Sequence, residues 1–420
     1  MSKRRVRLTA RLQWQLQASI LRRCVPEFIA AHPELDLTVE IPEPAQGATE
    51  QVLKALAQGS KQADILDLHT NFEVPIAIKG GLRTALLDMT DRVADLRDQC
   101  TGWEPCTWDG RVYGLPSVFS GSAYFYRADA FDRLGIDPTR FGTWDEFIRI
   151  GLEVKRTTGA YMLALDTSGF NQIQPLAIHA GGGWFDASGR PMLDCEPTIR
   201  ALELYRDLLL THQIAMPTAS FYGPEMWQAY RDGRVVGAYM PAWYGANEMR
   251  MGLPDMAGQF RVALAPAFDP GDYRGGYRGG MCAVVIRGPD EDIAFELLAF
   301  SRLTVRAQLG MLRENFLPPS MFAAYDEPAV KEYAYGFLGG QRVAPVYAEL
   351  ARHTGPFHVG EQLLEVQQLI NRVVIPEVTA GKVSARAALA DAAASLQRTR
   401  VPLEEALKIG GDSNLRRALD

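Results

Sequence analysis

Hydrophobic positions along the first seventy residues follow two different periods. Residues 5–10 and 37–41 alternate apolar and polar side chains, which predicts strands, and residues 63–68 form a third, more apolar strand. Between them, residues 15–31 and 49–58 carry apolar side chains at helical spacing, and Pro26 is expected to kink the first of these helices. This alternation predicts βαβ units and a largely parallel sheet.

A second α/β region begins near residue 143. Thr143 followed by Glu146 predicts a capping box at the start of a helix over residues 144–157. Beyond Pro318 the pattern predicts helices to about residue 400, and the final twenty residues form a weak appendage. Further helices are predicted at 196–212, 226–232 and 290–303, and further strands at 162–165, 235–240 and 281–286.

Length, composition and charge limit the classes of protein to which this chain can belong. At 420 residues the chain suits two or three compact units, and 47% hydrophobic with 22% charged residues is typical of globular proteins. A net charge of −6 without a basic patch argues against a nucleic-acid partner. Lys3, Arg4 and Arg5 precede a stretch that lacks the apolar core of a secretory signal. Either a signal segment is absent from this sequence, or the protein is not exported.

The five cysteines are too few and too scattered for a disulfide framework. Cys100 and Cys106 are spaced to close a small loop in an oxidising compartment, and two free thiols are the alternative. The histidines show no metal-ligand spacing, so neither a metal nor a cofactor is expected.

Residues 263–280 form a connector rich in glycine, proline and aromatic residues. Tyr277 and Arg278 lie among four glycines, where a bare backbone would let a ligand approach. Arg278 is a candidate to donate two hydrogen bonds from its guanidinium group to vicinal hydroxyls or to a carboxylate. The alternative is a flexible linker with a solvated arginine. No Gly-Lys-Ser/Thr follows the glycines, so a phosphate loop is discounted.

Several motifs resemble one family in the same order along the chain. Trp108-Asp-Gly-Arg-Val-Tyr-Gly-Leu-Pro116 resembles the crossover segment of extracellular solute-binding proteins, the carbohydrate-binding group that includes maltodextrin-binding proteins. Asp232-Gly-Arg-Val-Val-Gly-Ala-Tyr-Met-Pro-Ala-Trp243 and Asn315-Phe-Leu-Pro-Pro319 resemble two later segments. Taken together, the matches span about residues 5 to 400.

The resemblance implies an α/β fold of two lobes, each a mostly parallel sheet flanked by helices, with the ligand cleft between them. This is the type II periplasmic-binding-protein fold. Residues 1–118 and 280–314 would form lobe one, and residues 119–279 and 315–400 lobe two. Ligands in such folds lie beyond the strand ends, where loops of both sheets meet.

The resemblance also implies which residues contact ligand. A sugar needs flat aromatic rings against its faces and amide, carboxylate or guanidinium groups against its hydroxyls. Trp243 lies where the family places its stacking tryptophan. The full set of candidates is Gln13, Trp14, His69, Asn71, Ser117, Phe119, Ser120, Asn171, Gln172, Trp184, Trp243, Tyr244, Tyr277 and Arg278.

The predicted function is that of the substrate-binding protein of an ABC importer, which captures a carbohydrate or a carbohydrate derivative by closure of its lobes. Such a protein is not an enzyme, and it is expected to be a monomer that docks onto membrane permease subunits. The resemblance implies a periplasmic or cell-surface lipoprotein. Two alternatives stay open: a binding module that serves a receptor, and a sugar-processing enzyme such as a glycoside hydrolase, because carboxylate pairs occur at Asp64 with Asp67 and at Glu225 with Asp232.

Overall fold

The structure is a computed structural model that describes residues 3–45, 47–116, 119–138, 141–398 and residue 402. The candidate Ser117 and, except for Pro402, the predicted appendage at 401–420 lie outside the described residues.

The six predicted strands are present close to their predicted bounds, short strands are added around the motif at 108–116, and five further strands that were not predicted lie beyond it. In chain order they are β1 (Arg4–Arg11), β2 (Leu35–Glu40), β3 (Ile65–His69), β4 (Thr107–Trp108), β5 (Arg111–Val112), β6 (Gly114–Pro116), β7 (Ser122–Arg127), β8 (Leu163–Asp166), β9 (Ala215–Thr218), β10 (Gly237–Pro241), β11 (Phe260–Ala263), β12 (Met281–Val285), β13 (Ala334–Tyr335) and β14 (Gln341–Arg342).

The helices cover the faces of the sheets. They are α1 (Gln15–Ala31), α2 (Ala48–Ala57), α3 (Glu73–Lys79), α4 (Ala128–Leu134), α5 (Trp144–Thr158), α6 (Ile173–His179), α7 (Glu196–Leu210), α8 (Pro224–Arg231), α9 (Arg250–Gly252), α10 (Glu291–Arg302), α11 (Val305–Asn315), α12 (Pro328–Lys331), α13 (Ala344–Arg352), α14 (Leu363–Leu369), α15 (Ile375–Thr379) and α16 (Ala385–Leu396). The bounds of α1 match the prediction, and the helix continues through Pro26.

Lobe one is built on a five-stranded sheet with the order β2-β1-β3-β12-β6. β1 runs parallel to β2 and β3, whereas β12 runs antiparallel to both β3 and β6. The two-lobed α/β fold is confirmed, but this sheet is mixed rather than mostly parallel. β12 differs in direction because it returns to lobe one only after the chain has passed through most of lobe two.

Lobe two has β7 between β10 and β11, and both pairings are antiparallel. β8 and β9 form a parallel pair, which a bridge from Tyr161 to Val235 joins to the edge at β10. The helical prediction beyond Pro318 is wrong at residues 334–342, where β13 and β14 form a small hairpin. A chain turn at Gly339 and Gly340, both with positive φ, permits this reversal.

The capping box at the start of α5 is confirmed. Thr143 Oγ1 accepts the amide N–H of Glu146 at 3.4 Å, and Glu146 Oε2 accepts the amide N–H of Thr143 at 3.1 Å. We expect Thr143→Ala to lower the free energy of unfolding by about 1 kcal/mol, because the amide N–H of Glu146 loses its side-chain acceptor. Urea unfolding measures this, with Thr157→Ala on the exposed face of the same helix as control. Equal losses in the two variants would contradict the role of the cap.

A buried ion pair lies in the core of lobe one. Asp67 on β3 and Arg302 at the end of α10 have fully buried side chains, with Arg302 Nη2 4.0 Å from Asp67 Oδ2. The carbonyl of Arg302 accepts a hydrogen bond from Gln308 Nε2 at 2.6 Å, and Gln308 Oε1 accepts the amide N–H of Ser320 at 2.8 Å. The pair therefore ties the central strand to the segment that follows α11.

His179 is buried in an aromatic cluster of lobe two with Trp144, Tyr239 and Phe268. Its Nε2 lies 2.8 Å from the carbonyl oxygen of Tyr273, and burial lowers its pKa from 6.5 to about 3. The folded protein therefore binds fewer protons at this ring than the unfolded chain does below pH 6.5, so the contribution to stability is present above that pH and is lost as the pH falls.

We expect the free energy of unfolding to drop by about 1.4 kcal/mol from this histidine alone between pH 7.5 and pH 5.5. Urea unfolding at the two pH values measures the drop. His179→Gln keeps a donor toward Tyr273 but cannot titrate, so the difference between the two pH values is expected to shrink by that amount. An unchanged difference in His179→Gln would assign the pH dependence to other groups.

All five cysteines, each within the described residues, are free. Cys100 and Cys106 are not bonded to each other, and burial raises the pKa of the Cys100 thiol to about 12. Within the described part of the chain, none of the helices combines the length and apolarity needed to cross a bilayer.

Candidate ligand-binding site

The two lobes meet at a buried polar network centred on Asn71. Asn71 follows β3 in lobe one and is completely buried. Its Nδ2 donates to the carbonyl of Arg278 at 3.0 Å, and its Oδ1 accepts Gln174 Nε2 at 3.3 Å. Gln174 belongs to α6 of lobe two, and its Nε2 also lies 3.3 Å from the carbonyl of Arg278. Asn71 of lobe one is thus hydrogen-bonded both to Arg278, where the chain crosses between the lobes, and to Gln174 of lobe two.

Arg278 extends this network into lobe two. Its Nη2 donates to Asn171 Oδ1 at 2.6 Å, and its guanidinium lies 4.5 Å from the ring centroid of Phe170. Asn171 Nδ2 in turn donates to Asp166 Oδ2 at 3.0 Å, and burial raises the pKa of Asp166. Arg278 is only 3% exposed, so it is neither the solvated arginine of a flexible linker nor presented to an outside ligand in this structure.

The glycines of the connector serve the protein's own packing. A Cβ on Gly276 would overlap the backbone carbonyl of Pro175 in α6, and Gly279, at φ +116°, lies against the side chain of Asn71. The close approach predicted from the bare backbone is therefore made by α6 and by the Asn71 network. The expectation that it serves a ligand finds no support here.

The chain crosses between the lobes near Phe119 and again near Tyr277, and these two crossing segments lie side by side. The amide N–H of Arg278 donates to the carbonyl of Ser120 at 3.0 Å, and Gly121 and Tyr277 form an antiparallel bridge. The ring centroids of Phe119 and Tyr277 are 6.2 Å apart, and Tyr277 stacks on Phe357 at 5.8 Å. Ser120 is buried, and its Oγ has no hydrogen-bond partner within the described residues. Four of the candidates thus form the junction between the lobes.

Two candidate indoles lie near one contact between the lobes. Trp14, directly before α1, is 54% exposed, so part of its flat ring is available for stacking. Two residues later, Leu16 packs against Ala246 and Leu317 in a small apolar cluster that also includes the half-buried Trp243. Trp243 on lobe two therefore lies at an apolar contact with α1, the helix that begins directly after Trp14 on lobe one.

Gln13 and His69 end two neighbouring strands of lobe one. Gln13 Nε2 is buried, and none of the described residues offers it a hydrogen bond. His69 is half-buried, and its Nδ1 accepts the amide N–H of Asn71 at 3.1 Å. Both residues lie at the strand ends that carry the polar network.

Three candidates lie inside lobe two instead. Tyr244 is fully buried and donates its hydroxyl to the carbonyl of Phe221 at 3.0 Å. Trp184 is 2% exposed within the core. The Gln172 side chain accepts the amide N–H of Asp166 and donates to the carbonyl of Ala164. Their predicted contact with ligand finds no support here, because their surfaces and polar atoms are used to build the lobe.

The family model of bacterial extracellular solute-binding proteins matches residues 15–301, more than half of the chain. The chain belongs to this family. It is a solute-binding protein and not an enzyme, and its extracellular class implies a periplasmic or surface location.

Similar proteins include two sugar-binding relatives. This solute-binding protein is 27% identical over 335 residues to an arabinooligosaccharide-binding protein of Halalkalibacterium halodurans, covering 78% of this chain and 71% of the relative. It is 26% identical over 354 residues to a lactose-binding protein of Rhizobium radiobacter, covering 79% of this chain and 78% of the relative.

Solved structures share the fold over nearly the whole chain. The sugar-binding protein MalE of Xanthomonas citri superposes with a TM-score of 0.75 at 19% identity, covering 94% of this chain and 96% of that one. The galacto-N-biose/lacto-N-biose I-binding protein of the ABC transporter from Bifidobacterium longum, in complex with lacto-N-biose, gives 0.69 at 19% identity and covers 99% of both chains.

Sequence reasoning missed four polar side chains of the solute-binding protein that link its lobes. Gln367 on α14 donates Nε2 to the carbonyl of Asn71 at 3.3 Å. Lys79 at the end of α3 forms an ion pair with Glu365, whose side chain is fully buried. Gln174 was missed as well. A polar residue on an otherwise apolar helix face is the signal that marks all of these, but it does not reveal which distant residue is the partner.

In the solute-binding protein, both carboxylates of the pair Asp64 and Asp67 have structural roles. Asp64 accepts the amide N–H of Thr9 at 2.8 Å and pairs with Lys61, and Asp67 is buried with Arg302. Neither arrangement offers two carboxylates to one glycosidic bond. Among the described residues, no group of three or more His, Cys, Asp or Glu side chains is placed to hold a metal ion.

Proposed function

We propose that this solute-binding protein captures a carbohydrate or a carbohydrate derivative between its lobes for an ABC importer. The observation that carries the proposal is the polar network of Asn71, Gln174 and Arg278, which joins both lobes and a crossing segment in one buried site. The sugar-binding relatives support the ligand class.

The proposed ligand contacts combine the two indoles with polar groups at the strand ends. Trp14 and Trp243 offer flat faces to a sugar ring, while Gln13, Ser120 and His69 offer hydrogen-bonding groups. In the proposed division, one wall of the ligand cleft comes from residues 1–118 with 280–314. The other wall comes from residues 119–279 with 315–400. Since Arg278 is bonded to Asn171, we propose a ligand whose binding does not depend on a carboxylate or phosphate.

A thermal-shift screen tests the ligand class. Arabinooligosaccharides, lactose, maltooligosaccharides and sugar acids form one panel, and amino acids and dipeptides form the control panel. A true ligand at a hundred times its Kd stabilises the folded state by about 2.7 kcal/mol and raises the melting point with concentration. Shifts confined to the control panel would overturn the proposal, as would conversion of a sugar to product during long incubation.

We further propose that the protein acts as a monomer, docks onto permease subunits of the importer and is held at the periplasmic face or cell surface by a lipid anchor. Light scattering with and without the best ligand tests the oligomeric state. A concentration-dependent dimer would contradict that part of the proposal.

A further inference from the structure

Two buried cysteines that are far apart in the sequence lie next to each other in lobe one. Cys106 directly precedes β4, and Cys282 is in β12, 176 positions further along (282 − 106). Both side chains are fully buried in one apolar cluster.

The backbone around Gly114 brings these thiols together. The hairpin of β4 and β5 places Cys106 opposite Tyr113, whose amide N–H donates to the Cys106 carbonyl at 3.0 Å. The next residue, Gly114, lies in β6 beside β12, and a Cβ there would overlap the Cys282 sulfur. Because Gly114 has no side chain, the Cys282 thiol fills the space beside it, next to Tyr113, the residue that pairs with Cys106.

We propose that Cys106 and Cys282 form a disulfide when this protein folds in an oxidising compartment. Export is implied by the extracellular class of the family, and disulfides form and persist in such compartments. The pairing differs from the loop between Cys100 and Cys106 that the sequence suggests. Those two thiols are not bonded, and Cys100 instead lies at a backbone bridge to Met321.

The bond forms by exchange with a low-molecular-weight disulfide as oxidant. The thiolate of one cysteine attacks that disulfide and releases one thiol, and the second cysteine then displaces the other. The two protein thiols lose two protons and two electrons, and the oxidant is reduced to two thiols. Exchange has to precede burial, because burial and the adjoining Cys282 thiol raise the pKa of Cys106 well above its usual range in the folded protein.

The bond would lie within lobe one. It joins the segment before the first crossing to the strand after the second, and both partners belong to the five-stranded sheet or to the hairpin packed on it. It is therefore expected to leave the cleft and the movement of the lobes unchanged. It stabilises the fold because it restricts the conformations of the unfolded chain.

Refolding the full chain with a mixture of oxidised and reduced glutathione, and in parallel with reductant alone, tests the proposal. Each product is denatured and alkylated, and its mass gives the number of thiols. We expect five after reduction and three (5 − 2) after oxidation, with residues 106 and 282 in one cross-linked peptide. The oxidised form should melt at the higher temperature and bind the same sugars with unchanged affinity.

Three variants control for other pairings. Cys100→Ser should keep the cross-link, whereas Cys106→Ser and Cys282→Ser should each leave four alkylated thiols (5 − 1) under both conditions. Five thiols in the oxidised wild type, or a cross-link between Cys100 and Cys106, would overturn the proposal. Either result would leave the sugar-binding proposal intact, because that depends on the thermal-shift screen alone.

Discussion

Arg302→Ala is expected to lower the free energy of unfolding by about 3 to 5 kcal/mol, the largest loss from any single change considered. The substitution removes the cation that faces the Asp67 carboxylate, and both side chains are fully buried. A buried carboxylate without its cation bears most of the cost of leaving water. The lost side-chain volume adds a cavity beside β3.

Urea unfolding measures the loss, and Arg306→Ala is the matched control. Arg306 lies four residues away and pairs with Glu27 at 2.5 Å, but its side chain is 75% exposed, so its loss should be within about 1 kcal/mol. The double variant Asp67→Asn with Arg302→Met should recover much of the stability because it removes both charges. Similar losses in Arg302→Ala and Arg306→Ala would show that the buried pair is not important.

Trp243→Ala is expected to weaken sugar binding by at least about 1.5 kcal/mol, or more than tenfold in Kd, because stacking of an indole on a sugar face is worth that order. Trp243 is half-buried and packs beside Leu16 and Phe316 where the lobes touch. Titration calorimetry with the best ligand of the thermal-shift screen measures the change.

Two further variants separate stacking from folding. Trp243→Phe keeps an aromatic face and should recover part of the affinity. Trp227→Ala removes another half-buried indole of lobe two, one that packs against Gly252, and should leave Kd within about twofold of wild type. Wild-type affinity in Trp243→Ala would show that the proposed contact is misplaced.

Local patterns were sufficient to predict some of the regular elements. The apolar spacing of residues 15–31 gave the bounds of α1, and the short sequence from Thr143 to Glu146 gave the cap of α5. These features depend on neighbours in sequence, so one sequence contains all the information that they need. The mixed sheet was not predictable in this way, since the direction of β12 depends on the path of the chain through lobe two.

The candidate site was predicted in part for the same reason. Asn71 and Arg278 were chosen for their positions at strand ends and crossings, and the structure brings them together. Tyr244 resembled an equally good stacking residue, but an aromatic side chain after a strand is equally suited to the core, and burial decides between the two. The role of Gln367 could not be predicted from the sequence, because its hydrogen-bond partner, the backbone carbonyl of Asn71, is 296 residues away.

The pairing of the two crossing segments has a mechanical consequence. Because Ser120 is bonded to Arg278 and Gly121 to Tyr277, neither crossing can bend without the other. We therefore expect these two of the three crossings to move together when the lobes rotate. A permease that moves either lobe would then act on both of these crossings at once.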